Sequence, residues 1–203
     1  MALLKLHDTR LSGNAWKVRL LLSHLHVPFT RVTYVLAEGK TYLPEFRKMN
    51  PLGKVPVVEF EDGVCLYESN AILAHFAEGT AYLPADPLTR TRVFQWLFFE
   101  QAELMPNVAI PRMYIMIKKE KERYAREIDV HQAAATRALG VMDAQLERTR
   151  YLAGDEYTIA DISLHAYASL APDAEIDLSD FSSVRRWSED VQRQPGYVPL
   201  LES

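Results

Sequence analysis

The sequence predicts an α/β unit followed by an all-helical one. Short strand patterns alternate with helical ones over the first 79 residues, breakers cluster at 80–87, and beyond them only helical periodicity continues. The expected domains are therefore 1–79 and 88–203, joined by a linker at 80–87.

Leu3 to His7 alternates as a short strand does, and Asn14 to His26 then changes to helical spacing, with Val18, Leu21, Leu22 and Leu25 three and four residues apart. Pro28 ends that helix, and the β-branched and aromatic residues of Phe29 to Val35 predict a second strand. A helical or irregular stretch spans Tyr42 to Met49. Val55 to Phe60 and Val64 to Tyr67 then flank Asp62-Gly63, a pair suited to the positive φ of a hairpin turn. A helix from Glu68 to Glu78 completes the unit. Gly79 to Pro87 carries two prolines and reads as a linker. Long helices are expected over Leu88 to Lys119, bent near Pro106 and Pro111, and over Ala125 to Arg148. Shorter ones follow Tyr157 and cover Ser182 to Gln194. Thr158-Ile159-Ala160-Asp161 has the form of a capping box, a structural role.

Of 203 residues, 48% are apolar and 25% charged, enough for a sizeable core. The 23 Lys+Arg and 27 Asp+Glu are not segregated, which disfavours a nucleic-acid surface. Lys118 to Arg123 alternates both signs, as a solvated helix face does. The single cysteine, Cys65, excludes an intramolecular disulfide and is expected to be buried in a strand. Met1 to Asp8 is too poor in apolar residues for a secretory leader and no later stretch approaches a membrane span, so a cytoplasmic location without membrane attachment is expected. The six histidines lack ligand spacing, and no metal is expected.

Three segments carry the candidate chemistry. Ser12 to Val18 lies where the first strand meets the first helix, a place that favours negative charge, including a thiolate; Ser-x-Asn is equally an ordinary cap sequence. Asn50-Pro51-Leu52-Gly53-Lys54-Val55-Pro56 is a turn ending at a strand start. With Pro56 cis, the Val55 backbone could pair with a peptide-like ligand. At Glu68-Ser69-Asn70 a strand gives way to a helix, where Ser69 and the first amides suit a carboxylate and Glu68 suits an ammonium group.

Together with Tyr67 to Ile72 and Gly154 to Asp161, these segments closely resemble the glutathione transferase family over nearly the whole chain. The resemblance implies a thioredoxin-like N-terminal domain that binds glutathione as co-substrate and a C-terminal helical bundle that contributes the pocket for a small hydrophobic electrophile. It implies that Val55, beside cis Pro56, pairs with the cysteinyl part, that Glu68 and Ser69 take the γ-glutamyl head, and that Lys54 and Lys40 face the glycine carboxylate. Ser12 falls on the serine that donates to the glutathione sulfur, with Asn14 the competing donor. Ala15 stands where many related bacterial sequences carry cysteine, which argues against reductase chemistry through a protein thiol. Met113 and Tyr114 are core residues by their helical spacing and pocket candidates by the resemblance. A homodimer acting in detoxification is implied. Isomerase, peroxidase or dehalogenase activity, or a non-catalytic glutathione-binding or interaction protein, are the alternatives.

Overall fold

The computed structural model describes residues 4–201. Leu3, assigned above to the first strand, and the outermost ends of the two expected domains lie outside these residues. The chain divides into two compact units, residues 4–78 with 195–201, and residues 79–194.

In the first unit, β1 (Leu4–Asp8), α1 (Gly13–His24), β2 (Phe29–Thr33), α2 (Pro44–Met49), β3 (Val57–Glu59), β4 (Cys65–Tyr67) and α3 (Ser69–Ala77) follow in order. The strands form one sheet in the order β2-β1-β3-β4. β2 runs parallel to β1, whereas β3 runs antiparallel to both its neighbours. Because strand side chains alternate between faces, Leu4, Leu6 and Val58 fall on one side, where they pack with Val18 and Leu22 of α1 and Ile72 of α3. The other side carries Lys5, His7 and Glu59. Glu59 accepts from Lys5 Nζ at 3.1 Å and from His7 Nε2 at 2.9 Å, and the His7 bond leads in holding its carboxyl below the usual range. Phe46 of α2 sets its ring edge against His7 and Tyr34.

Three expectations change here. The second strand stops at Thr33 instead of Val35, after which two short 3₁₀ turns, Leu36–Glu38 and Lys40–Tyr42, carry the chain to α2. Cys65 is only half-buried, because β4 is the edge strand; burial pushes its thiol up. The last residues do not belong to the helical unit. α1 is buried nearly all round, and its outward polar groups find backbone carbonyls in the returning tail: His24 Nδ1 donates to Pro195 at 2.7 Å, Trp16 Nε1 to Val198 at 2.7 Å and Arg19 Nη2 to Leu200 at 2.6 Å.

The second unit contains α4 (Pro87–Phe99), α5 (Met105–Arg112), α6 (Ala125–Leu146), α7 (Ile159–Ala168) and α8 (Ser182–Gln192). Residues 80–87 are part of it and not a free linker: Leu83 is buried, and the Tyr82 carbonyl accepts from the Ile159 amide at 3.0 Å. The expected long helix from Leu88 is interrupted by two π-helical turns, Glu100–Leu104 and Met113–Ile117, which flank the proline-bearing α5. Pro106 sits in the first turn of α5, where its missing N–H is tolerated, and the wider turns take up the irregularity. α7 is buried along its whole length and begins with the expected capping box. Asp161 accepts four hydrogen bonds, from Leu152 N, Thr158 N, Thr158 Oγ1 and Trp187 Nε1, which ties three segments of this unit together.

Candidate functional site

Strand register gathers the three predicted segments at one end of the sheet. Val57 pairs with His7 on one side and Tyr67 on the other. The chain leaving β1 toward Ser12, the chain entering β3 through Val55 and Pro56, and the chain leaving β4 into Glu68 and Ser69 therefore share one edge. β2 ends there as well, since Thr33 pairs with Asp8. Buried Asp8 anchors this edge by accepting from Arg31 Nε at 2.6 Å and Thr33 Oγ1 at 2.9 Å.

Ser12 is the N-cap of α1, and its Oγ accepts from the Ala15 amide at 3.1 Å. A hydroxyl that accepts in this way still has its proton to give. The first turn of α1 contains no acidic side chain, so the positive end of the helix is not neutralised from within. Asn14, in that same turn, accepts from Ser69 Oγ at 3.3 Å. Ser69 Oγ in turn accepts from Lys17 Nζ at 3.4 Å. Ser12 thus serves as a cap, as the sequence allowed, while the segments holding Asn14 and Ser69 come into direct contact.

The Asn50 to Pro56 turn is built around a buried asparagine. Asn50 Nδ2 donates to the Lys54 carbonyl at 2.7 Å, and Asn50 Oδ1 accepts from the Leu52 amide at 3.0 Å. Gly53 has φ +66°, and a Cβ there would lie 2.8 Å from the Thr41 carbonyl oxygen, so backbone passes directly over backbone. This approach sets the Lys40–Tyr42 turn against the turn that carries Lys54. Both lysines are exposed, and Lys40 is paired with Glu38 at 2.6 Å, which raises its pKa. The Val55–Pro56 bond is cis; Pro56 is buried and Val55 half-buried.

Glu68 has φ +68°, ψ 107°, a conformation that costs a non-glycine residue about 1–3 kcal/mol and is found where surrounding structure imposes it. It is exposed, whereas Ser69, the first residue of α3, is buried. The first turn of α3 likewise lacks acidic side chains. Backbone amides, one hydroxyl and one carboxylate are thus available for a zwitterionic head.

Met113 and Tyr114 lie in the second π-helical turn of the second unit. Tyr114 stacks on Tyr124 with ring centroids 3.8 Å apart, and its hydroxyl approaches Glu127 at 3.5 Å. Sequence reasoning missed Lys17, although its place three residues after Asn14 put it on the same helix face. It also missed an open hollow of about 390 Å³ in the second unit, lined by Arg92, Gln95, Trp96, Phe99, Gln145 and Leu152. Among the described residues no three His, Cys, Asp or Glu side chains gather as a metal site would require, and no helix is long and apolar enough to cross a membrane.

The family model "Glutathione S-transferase, N-terminal domain" matches residues 2–78, and "Glutathione S-transferase, C-terminal domain" matches 104–195. A crystal structure of a glutathione S-transferase from Pseudomonas fluorescens is 40% identical, covers 98% of this chain and 100% of its own, and superimposes with a TM-score of 0.96. The chain belongs to the glutathione S-transferase family. The four-stranded sheet with its helices is the thioredoxin-like N-terminal domain of a glutathione S-transferase, and the second unit is its helical domain. Glutathione S-transferase 3 of Zea mays is 31% identical over 97% of this chain and 92% of its own. The disulfide-bond oxidoreductase YfcG of Escherichia coli is 27% identical over 90% of this chain and 87% of its own.

Proposed function

We propose that this glutathione S-transferase binds glutathione at the strand-end edge of its first unit and uses the bound thiolate to attack a small hydrophobic electrophile. The observation that carries the reading is the 3.3 Å contact between Ser69 and Asn14, which joins the candidate head-group and sulfur subsites. Ser69 and the α3 amides receive the γ-glutamyl carboxylate, and Glu68 its ammonium. The Val55 backbone pairs with the cysteinyl part beside Pro56, and Lys40 and Lys54 meet the glycine carboxylate. Ser12 donates a hydrogen bond from its hydroxyl to the sulfur, with Asn14 the alternative donor.

A free thiol with a pKa near ~8.5 is mostly protonated at neutral pH. A hydrogen bond to a charged group contributes roughly 1.5–3 kcal/mol, which at about 1.4 kcal/mol per unit lowers that pKa by about one to two units. The thiolate then forms a carbon–sulfur bond to the electrophile, giving a thioether. Met113 and Tyr114 are the proposed contacts to the electrophile, and we take the working enzyme as a cytoplasmic homodimer in detoxification.

A second reading draws on the Escherichia coli relative's name: the same bound thiolate attacks a disulfide, giving a mixed disulfide and releasing a thiolate. Cys65, the only cysteine, is pushed toward the thiol form, so glutathione would have to supply the sulfur. Isomerase, peroxidase and dehalogenase reactions use that sulfur too.

The test is a titration of bound glutathione, read by thiolate absorbance, in wild type and in Ser12→Ala. The reading expects a lowered thiol pKa that returns toward the free value in the variant, with thioether formation from activated aryl halides. Turnover of disulfides alone supports the second reading. Absence of glutathione binding defeats both.

A further inference from the structure

We propose that Lys17 is a positioning residue for the glutathione head group, acting through the Ser69 hydroxyl and linking carboxylate binding to the Asn14 carboxamide. The proposal rests on the glutathione reading given above.

Lysine is among the residues least often fully buried, because an ammonium taken out of water must be compensated by acceptors. Lys17 is 0% exposed. It stands three residues after Asn14 on α1, so the two side chains share a face. Its Nζ donates to Ser69 Oγ at 3.4 Å, 52 residues further along the chain, and Ser69, itself 3% exposed, donates onward to Asn14 Oδ1 at 3.3 Å. A cation thus lies one hydrogen bond behind the hydroxyl proposed to meet the head-group carboxylate.

A serine hydroxyl has one proton and two lone pairs. With the ammonium donating into the oxygen, the hydroxyl is held as a donor, and its proton goes to Asn14 when no ligand is bound. A carboxylate arriving at Ser69 is a stronger acceptor than a carboxamide oxygen. When the carboxylate accepts the Ser69 hydrogen bond in its place, Asn14 Oδ1 is released and the carboxamide can turn its NH₂ toward the sulfur. Head-group recognition and thiolate stabilisation are then coupled through one oxygen atom. A packing role for Lys17 between α1 and α3 predicts no such coupling.

The experiment uses the intact protein and two ligands, glutathione and its analogue γ-aminobutyryl-cysteinylglycine, which lacks only the α-carboxylate of the head. Affinity by calorimetry and the bound thiol pKa by absorbance are measured in wild type, Lys17→Met and Lys17→Arg. Lys17→Met is expected to weaken glutathione about tenfold, the scale of one hydrogen bond to a charged group, to leave the analogue unchanged, and to raise the pKa of bound glutathione. Lys17→Arg, which retains a cationic donor, is expected to recover most of the loss. Equal weakening of both ligands by Lys17→Met, or no change in either, overturns the proposal while leaving the glutathione reading intact. If wild type binds neither ligand, the glutathione reading fails and takes this one with it. Should Lys17→Met not fold, Lys17→Gln, which removes the cation but keeps a polar end, gives the same decision: weakening of glutathione alone supports the bridge, and equal weakening of both ligands or of neither refutes it.

Discussion

The Ser12 hydroxyl accepts a hydrogen bond from the Ala15 amide at 3.1 Å, so one oxygen both starts α1 and stands where the thiolate donor is proposed. Cap and donor can be separated by substitution. Ser12→Ala removes both and is expected to cost about 1 kcal/mol of stability in urea unfolding. Ser12→Asp retains a capping oxygen at the positive end of the helix and should be at least as stable as the alanine variant. It has no proton to donate and sets a negative charge beside the thiolate, so its turnover should fall below that of Ser12→Ala. Recovery of turnover along with stability in Ser12→Asp would reduce Ser12 to a cap.

Gly53 and the Thr41 carbonyl set a second limit. Alanine at 53 has to adopt φ +66° and also meets backbone oxygen at 2.8 Å, which a flexible neighbour cannot relieve. The left-handed conformation alone costs roughly 1–2 kcal/mol, so Gly53→Ala is expected to lose more than that in urea unfolding and to weaken glutathione binding by displacing Lys54 and Val55. Gly63, at φ +82° with nothing near its Cβ position, supplies the control. Gly63→Ala should show the conformational cost with unchanged affinity. Equal affinities in the two variants would mean that the Asn50 to Pro56 turn does not form the ligand site.

What could be read in advance was local. Asp62-Gly63 announced its hairpin, and Thr158 with Asp161 announced the start of α7, because each signal is complete within four residues. The Asn50 to Pro56 turn with its cis proline, and the helix starts at Ser12 and Ser69, were legible as local structure because each signal lies in one short run of residues. Lys17 was not, because a buried ammonium depends on an acceptor 52 residues away that helical spacing does not reveal. The return of the tail was hidden for a similar cause: Trp16 and Arg19 are met by backbone carbonyls, which every residue carries and no pattern marks. Pro106 and Pro111 signalled an irregular helix, whereas the π-helical turns on either side of α5 have no mark of their own in the sequence.

His165 and Asp161 lie four residues apart on α7, both fully buried, and burial moves them in opposite directions: the imidazole down to about 3 and the carboxyl up to about 6. The unfolded chain takes up the histidine proton near pH ~6.5 and the folded one only near 3, so this group's contribution is present above pH ~6.5 and lost as the pH falls. Asp161 acts in reverse. Its folded form binds the proton near pH 6 and the unfolded form near ~3.9, so its contribution is present at low pH and lost as the pH rises toward 6. Between about pH 4 and 6 the two slopes, each on the order of 1.4 kcal/mol per pH unit at most, oppose each other. His165→Gln keeps a polar group near Ser188 Oγ, which lies 3.3 Å from His165 Nδ1, and removes the titration together with the ring contact to Trp187, a loss that does not vary with pH. The difference in unfolding free energy, variant minus wild type, is therefore expected to grow in the variant's favour as the pH is lowered from 6.5 to 4. Urea unfolding at unit pH steps measures it. A difference that stays constant with pH would show that His165 does not resist protonation in the folded core.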